Sequence, residues 1–376
     1  MINLVEIRDA NRVVIGIIDT ANSIIWHQVY YGVGDFEIYA QATEKNVSLL
    51  KEGNYVTRYN NDEVGIIEQI NFDFSAQDGY MITASGRFAK SILDRRIIYK
   101  LSGTVNTPTI LRGKVETAVR QTVLDNAISC TFDSRRNIPI LGLAALKGYS
   151  QIIVDDNGNP AEKQVSYQNL MEYTDSVLKE YGMSARIIYN DSNKKLLYEV
   201  IKGVDRSTDN TAGNEPIVFS IEYDNLNSSS YSYDSKSLKN AALIGGEGQG
   251  LERFYTLLTE SKTGLQLREM FVNASSINRT YKESEESEEQ QYTNAEYRAM
   301  LNQEGQRKLK VQILQETFNG DVNVTFGNKH YGDDYFLGDI VTVQDNYIQK
   351  YINTRITEVT EVQDENGYAV NVVFGE

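Results

Sequence analysis

The chain has 376 residues, 41% hydrophobic and 24% charged, with 52 acidic against 37 basic residues and a formal charge of −15. Such a field disfavours tight adhesion to nucleic acid or anionic membrane, and no apolar run approaches the ~18 residues that span a bilayer. One cysteine, Cys130, excludes an intrachain disulfide or thiolate cluster, and two histidines, His27 and His330, leave little for a histidine-based metal site or triad.

The 25 tyrosines and 12 phenylalanines fit pleated, half-buried surfaces. The length predicts two or three domains at about 150 residues each. The opening MINLVEIRDANRVVIG lacks the basic and apolar regions of a signal peptide, so the chain is expected to fold where it is made.

Residues 1 to 90 read as successive strands, NLVEIRD, RVVIGIID, SIIWHQVYY, DFEIYAQ, YVTRYN, EVGIIEQINFDF and YMITASGR. Between them stand the turn-forming stretches YGVGD, EGN, NND and AQDG. This spacing predicts a sandwich or barrel, with His27 a partly exposed strand residue. In GRFAKSILDRRII (86–98), Phe88, Ile92 and Leu93 fall at helical intervals.

From about residue 107 the period changes. Leu111, Val115, Val119 and Val123 recur every four residues, which places them on one helical face. Cys130 is expected to be a buried small hydrophobe. VDDNGNPAEK (154–163) imitates a calcium loop through Asp155, Asn157 and Asn159, but Pro160 and Ser166 stand where glycine and glutamate are required, so a turn is expected. A second helix is predicted from Ser166 as its N-cap. Tyr167, Leu170, Met171, Thr174, Val177, Leu178 and Tyr181 form its buried stripe and Gly182 stops it. SARIIYNDSNKKLLYEVIKG then predicts a hairpin about Asp191–Lys194. In GVDRST, Asp205 is expected to cap a turn and Arg206 to bridge a carboxylate or carbonyl at a domain junction.

The stretch AALIGGEGQGLERFYTLL (241–258) imitates a dinucleotide-binding turn. Gly245, Gly246, Gly248 and Gly250 give GxGxG without the third glycine at the required spacing, no βαβ unit follows, and no Lys-Ser/Thr completes a P-loop. A β-bulge or tight inter-strand corner that only glycine can make is expected instead. FYTLLTE and LREMFVNA read as strands around an SKTG turn. In YKESEESEEQQ (281–291), five of seven residues from Glu283 to Glu289 are glutamate, which predicts a mobile loop. Thr293 and Glu296 form a capping box that opens a helix over 293–310. Asp333 and Asp334 are read as adjacent acids at a strand start, pointing to opposite faces and unsuited to paired acid/base work. Gly338-Asp339 is expected to make a corner, with Ile340, Val341 and Val343 entering a strand and Arg355-Ile356-Thr357 returning beside it. No catalytic, cofactor-binding or metal-ligating residue is assigned.

DTANSIIWHQVYYGVGDFEIYA, GRFAKSILDRRII, VIKGVDRST, LIGGEGQGLER, LREMFVNA, YFLGDIVTVQ, TRITEVT and NVVFGE occur in an order that resembles the tail-hub proteins of long-tailed bacteriophages. That group includes the tail-associated (Tal) baseplate proteins of siphophages, in the short form seen in lactococcal siphophage baseplates. More distantly, the chain is similar to the hubs of contractile tails and type VI secretion spikes. Many relatives continue into a C-terminal fibre or peptidoglycan hydrolase; the sequence stops at Gly375 and Glu376, so wall-degrading activity is not expected.

The resemblance implies an α+β, mainly β chain with two tube-type β-barrel or sandwich domains, an inserted α/β domain and a small helical or loop insertion. Its expected division is 1–100, completed by part of 211–260; 101–210, the insert; and 211–376, with the acidic loop and the helix. It implies a homotrimer that docks on the hexameric distal tail protein, closes the tube and opens for DNA. The tape-measure and receptor-binding proteins are further partners, DNA is met only in transit, and the expected location is the virion tail tip. Asp205, Arg206, Gly245, Gly246, Gly248, Gly250, Arg253, Gly338 and Asp339 are the expected signature of fold and trimer. The alternatives are a peptidoglycan hydrolase or a carbohydrate-binding module of the tail tip.

Overall fold

The computed structural model describes residues 4–375, apart from 60, 156–157, 260, 276, 282–287, 289, 311 and 324–328. The glutamate-rich loop expected at 281–291 lies largely outside these residues. The chain divides into two compact units. The first comprises residues 1–155, 159–230 and 318–376, and the second residues 156–158 and 231–317.

The first unit is mainly β, as its alternating sequence predicts. In the strand Ala21–Val29, Ile24, Trp26 and Gln28 are buried while Ile25 and His27 stay partly exposed, the two-residue period of a pleated surface. His27 sits between Asp35 and Glu358, its ring nitrogens 3.2 and 3.1 Å from their carboxylate oxygens.

Two sheets dominate this unit. A seven-stranded sheet runs in the order Leu141–Leu143, Lys195–Ile201, Ser184–Asn190, Asn61–Ile66, Tyr55–Arg58, Val5–Arg8 and Val14–Ile18. A ten-stranded sheet has the path Leu226–Asp234, Gln315–Val322, Gly367–Gly375, Lys350–Asp364, Ala21–Val29, Asp35–Gln41, Gly79–Arg87 and Gln69–Ser75; Ile340–Asp345 joins it along Lys350–Asp364, and Val218–Phe219 pairs with Ile340–Asp345. Among the described residues neither sheet closes into a barrel. The early and late parts of the sequence thus share one sheet, with Trp26 opposite Glu361.

Val5, Ile7, Ile18 and Val56 from one sheet and Trp26, Phe36, Ile38 and Ile82 from the other fill a common core. A buried ion pair, Arg58 Nη1 to Glu361 at 2.9 Å, lies there, and Tyr368 donates to the same carboxylate at 2.6 Å.

A second core packs helices Val115–Val123 and Leu170–Glu180 on the strands Ser184–Asn190 and Lys195–Ile201, together with Tyr55, Val64, Ile66, Ile92 and Leu93. The predicted hairpin is present, with Asn190 opposite Lys195. Cys130 is buried. The segment Ala89–Arg95 is a short 3-10 helix.

Three readings in this unit need correction. Leu111 shares the buried face but belongs to the strand Thr109–Arg112, because Gly113, with φ +73°, breaks the run before Val115. The second helix begins three residues later than predicted. Asn169 is its N-cap, accepting from the amides of Met171 and Glu172 at 2.9 and 3.2 Å, while the Ser166 hydroxyl accepts from Asn106 and Tyr167 is exposed at φ +63°. Asp333 and Asp334 sit in a turn and not at a strand start. The Asp334 carboxylate accepts the His330 amide at 2.7 Å, a local bond that competes with strand pairing.

The second unit sets the helix Asn294–Leu309 against one face of a three-stranded sheet. The capping box is present, with Thr293 and Glu296 bonded reciprocally at 2.8 and 3.2 Å. Tyr255–Thr259 and Glu269–Asn273 are strands, but they are not partners in a hairpin. They flank Ala241–Gly245, the first antiparallel and the second parallel to it. Gly305 allows the helix this close, since a Cβ there would lie 2.8 Å from Ile244 and Leu258 side chains.

Candidate functional site

Asp205, Arg206, Gly338 and Asp339 come together in the first unit as a clasp among five segments of chain. Asp339, 2% exposed, is its centre. One carboxylate oxygen accepts the Val204 amide at 2.7 Å. The other accepts Arg206 Nε at 3.0 Å and the Phe336 amide at 3.1 Å. Backbone bonds from Ile340 to Val204 and from Arg206 to Ile340, 2.9 and 2.7 Å, lay residues 204–206 alongside the start of the strand Ile340–Asp345. Asp205 points the other way and accepts the Ser207 amide at 3.0 Å, the turn cap its sequence predicts. Arg206 bridges a carboxylate, as predicted, but within the first unit and not at a domain junction.

Gly338 makes the corner that feeds this strand, at φ +94°. Only glycine fits, because an added Cβ would stand 2.2 Å from the Tyr30 ring. Gly203 faces it just as closely, with a hypothetical Cβ 1.7 Å from the Gly338 carbonyl oxygen. Arg355 donates to that carbonyl at 2.5 Å and lies 5.2 Å from the Tyr30 ring centroid.

The Tyr30 hydroxyl donates to the Gly182 carbonyl at 3.0 Å and accepts the Gly203 amide at 3.1 Å. Burial pushes this hydroxyl up to about 12, so the proton needed for the Gly182 bond is retained at ordinary pH. Tyr30, Gly203 and Arg355 are the members the sequence did not single out. Gly203 had a signal, a glycine two residues past a strand end; Tyr30 and Arg355 had none.

The glycine-rich corner forms a separate site in the second unit. Arg253 donates to the Gly246 and Gly245 carbonyls, 2.9 Å each, and to the Asn273 side chain. The Gly246 amide bonds the Phe254 carbonyl at 2.8 Å and the Glu247 amide bonds the Tyr297 hydroxyl at 2.7 Å. Gly248 and Gly250 have φ of +102° and +54°. A nucleotide phosphate needs free amides at such a turn. Here Gly246 and Glu247 spend theirs on the protein itself, so these two amides are not offered to a phosphate.

Chemically, both sites hold chain to chain. The Asp339 carboxylate, with three donors and no open face, is no general base. In the calcium-like stretch, Asp155 accepts the Asn159 amide at 2.9 Å, the expected turn, while Asn157 lies outside the described residues. Among the described residues no group of three or more His, Cys, Asp or Glu side chains stands in a metal-binding arrangement, and no helix is long and apolar enough to cross a membrane.

A family model described as "Siphovirus ReqiPepy6 Gp37-like protein" matches residues 4–376. No curated protein matches the chain. Among solved structures, the 43 kDa tail protein of prophage MuSo2 from Shewanella oneidensis is similar with a TM-score of 0.58 at 14% identity, over 99% of this chain and 98% of that one. A tail protein from Neisseria meningitidis MC58 is similar with a TM-score of 0.57 at 10% identity, over 99% and 96%. At these identities the likeness is one of fold. It extends from end to end and agrees with the phage-tail resemblance read from the motifs.

Proposed function

Because the chain belongs to the siphovirus ReqiPepy6 Gp37-like family along nearly its whole length, we propose that it is a structural component of a phage tail tip. It acts as a homotrimeric hub that docks on the hexameric distal tail protein, closes the end of the tail tube and opens for DNA. The observation that carries this reading is a fold shared over 99% of the chain with two tail proteins, one of them from a prophage.

Three physical features support it. The first unit carries two large sheets, of seven and ten strands, and two like β regions in each of three protomers would match a sixfold partner. A charge of −15 suits a wall past which DNA must slide without sticking. The polar residues of the two clasps are committed to internal bonds, the arrangement of a load-holding part and not of a reaction centre. On this reading Asp205, Arg206, Gly338 and Asp339, with Gly245, Gly246, Gly248, Gly250 and Arg253, fix the shape that the trimer needs. No observation favours the hydrolase or the carbohydrate-binding alternative.

Gold-labelled antibody against the chain, applied to purified phage particles, tests the placement. Label confined to the tail end distant from the capsid is expected. Label along the whole tube, or on no part of the particle, overturns it.

A further inference from the structure

One end of the gap between the two large sheets of the first unit is closed by polar groups and not by apolar ones. In the strand Asn61–Ile66, Asn61, Glu63 and Gly65 turn toward the ten-stranded sheet, where a Cβ on Gly65 would lie 2.4 Å from the Phe36 ring. Part of Glu63 is exposed, but its carboxyl group ends inside this seam and accepts the side-chain amide of the buried Gln28, on the opposite sheet, at 2.6 Å. The Gln28 oxygen accepts Asn61 at 3.1 Å and the Tyr331 hydroxyl at 2.9 Å. One glutamine thus ties both sheets to the turn over residues 331–335.

Three cations face Glu63 from three elements, and each already has another acid. Arg58 on Tyr55–Arg58 holds Glu361 at 2.9 Å, and Lys90 on Ala89–Arg95 holds Asp175 at 3.0 Å. Arg186 on Ser184–Asn190 holds Glu199 at 2.9 Å and Asp62 at 3.3 Å, and Lys147 reaches Glu199 at 2.6 Å. These four bases meet four acids, and Glu63 is the acid left over. Ionised, it is an uncompensated charge in the seam. Burial, the largest influence, accordingly holds its carboxyl above the ordinary range, against the Gln28 bond and the pull of Arg186, Lys90 and Arg58. The other titratable groups of the seam are Glu361 and the phenols of Tyr331, Tyr335 and Tyr368.

We propose that Glu63 is a proton-operated latch on this seam: neutral, it lets the two sheets and the 331–335 turn close over Gln28, and ionised, it loosens them and frees the turn first. The turn goes first because its Tyr331 reaches both sheets only through Gln28, whereas the sheets share the apolar core beyond. Since the folded-state value lies above the unfolded one, the closed seam is complete at low pH and is lost as the pH rises through the folded value. The latch belongs to the single chain, so its failure leaves the hub reading in place.

Trp26, the single tryptophan, is buried with Arg58 5.1 Å from its ring centroid, so its fluorescence reports on the seam. In the purified full chain between about pH 4 and 9, one step in Trp26 emission is expected. With it, amide exchange over residues 331–335 should rise about tenfold or more beyond its intrinsic pH dependence. Glu63→Gln, which keeps an oxygen for Gln28, should abolish both changes, while Asp175→Asn and His27→Gln should keep them. A wild type without the step, a step that survives in E63Q, or one that disappears in D175N or H27Q overturns the latch. Tyr331→Phe tests it without touching Glu63. In that variant the turn should exchange fast at every pH, and slow exchange at low pH overturns the latch as well.

Discussion

Gly338 and Asp339 show how far single residues could be read. A glycine-aspartate pair before the alternating run IVTV signals a corner, and the corner is there. What the aspartate holds was not legible, because Val204 and Arg206 reach it from more than 130 positions away. Gly332 supplies an internal control for Gly338. Both have φ near +90°, but a Cβ on Gly332 meets nothing within 4 Å. Gly332→Ala should cost about 1 kcal/mol from the left-handed backbone alone, and Gly338→Ala ~3 kcal/mol or more once the Tyr30 ring is struck. Denaturant midpoints of the two variants check the difference, and equal losses would mean the clasp is looser than described.

The buried pair Lys90–Asp175, 3.0 Å apart, gives a prediction with a definite sign. Burial holds the Asp175 carboxyl above its ordinary range, against the opposing pull of Lys90. Its contribution to stability is therefore full below the unfolded-state value of about 3.9 and is lost as the pH rises through the folded value. Asp175→Asn removes this titration, so its stability in urea relative to wild type should shift in the variant's favour as the pH rises from 3 to 7. A relative shift in the opposite direction would show that folding lowers the Asp175 value and that the ionised form is the favoured one.

At the scale of elements, periodic segments were legible and pairings were not. The capping box and the hairpin about Asp191–Lys194 announce themselves within a few residues. The place of Glu269–Asn273 does not, since a parallel neighbour is reached through a crossover and nothing in LREMFVNA distinguishes one side of Ala241–Gly245 from the other. Leu111 shows the related limit, for a strand residue buried in the same core mimics the next position of a helical stripe. The glycine corner joins sheet to helix in the second unit. A Cβ on Gly246 would lie 2.4 Å from the Tyr297 hydroxyl, which also donates to the Ile277 carbonyl at 2.7 Å. Gly246→Val should therefore unseat the helix Asn294–Leu309, and Tyr297→Phe should cost about 1–3 kcal/mol through the two unpaired backbone groups it leaves. Hydrogen exchange is expected to rise across residues 241–259 and 294–309 while residues 21–41 stay protected. A uniform rise would mean the units do not open separately.

At the scale of the molecule, the mainly β class follows from composition and alternation. The sheet order that brings residues 24–29 against 358–363 has no signal in either strand, because register is chosen by the core that both faces share. The same order gives the hub reading its physical content, since a broad sheet made from both ends of the chain is a wall segment that copies can repeat around an axis. Light scattering of the purified chain, alone and with the distal tail protein, tests this most directly. The account predicts a species of three times the 42.5 kDa chain mass, either alone or once the distal tail protein is added, and its stable attachment to that protein. A chain that stays monomeric and ignores the distal tail protein would contradict it.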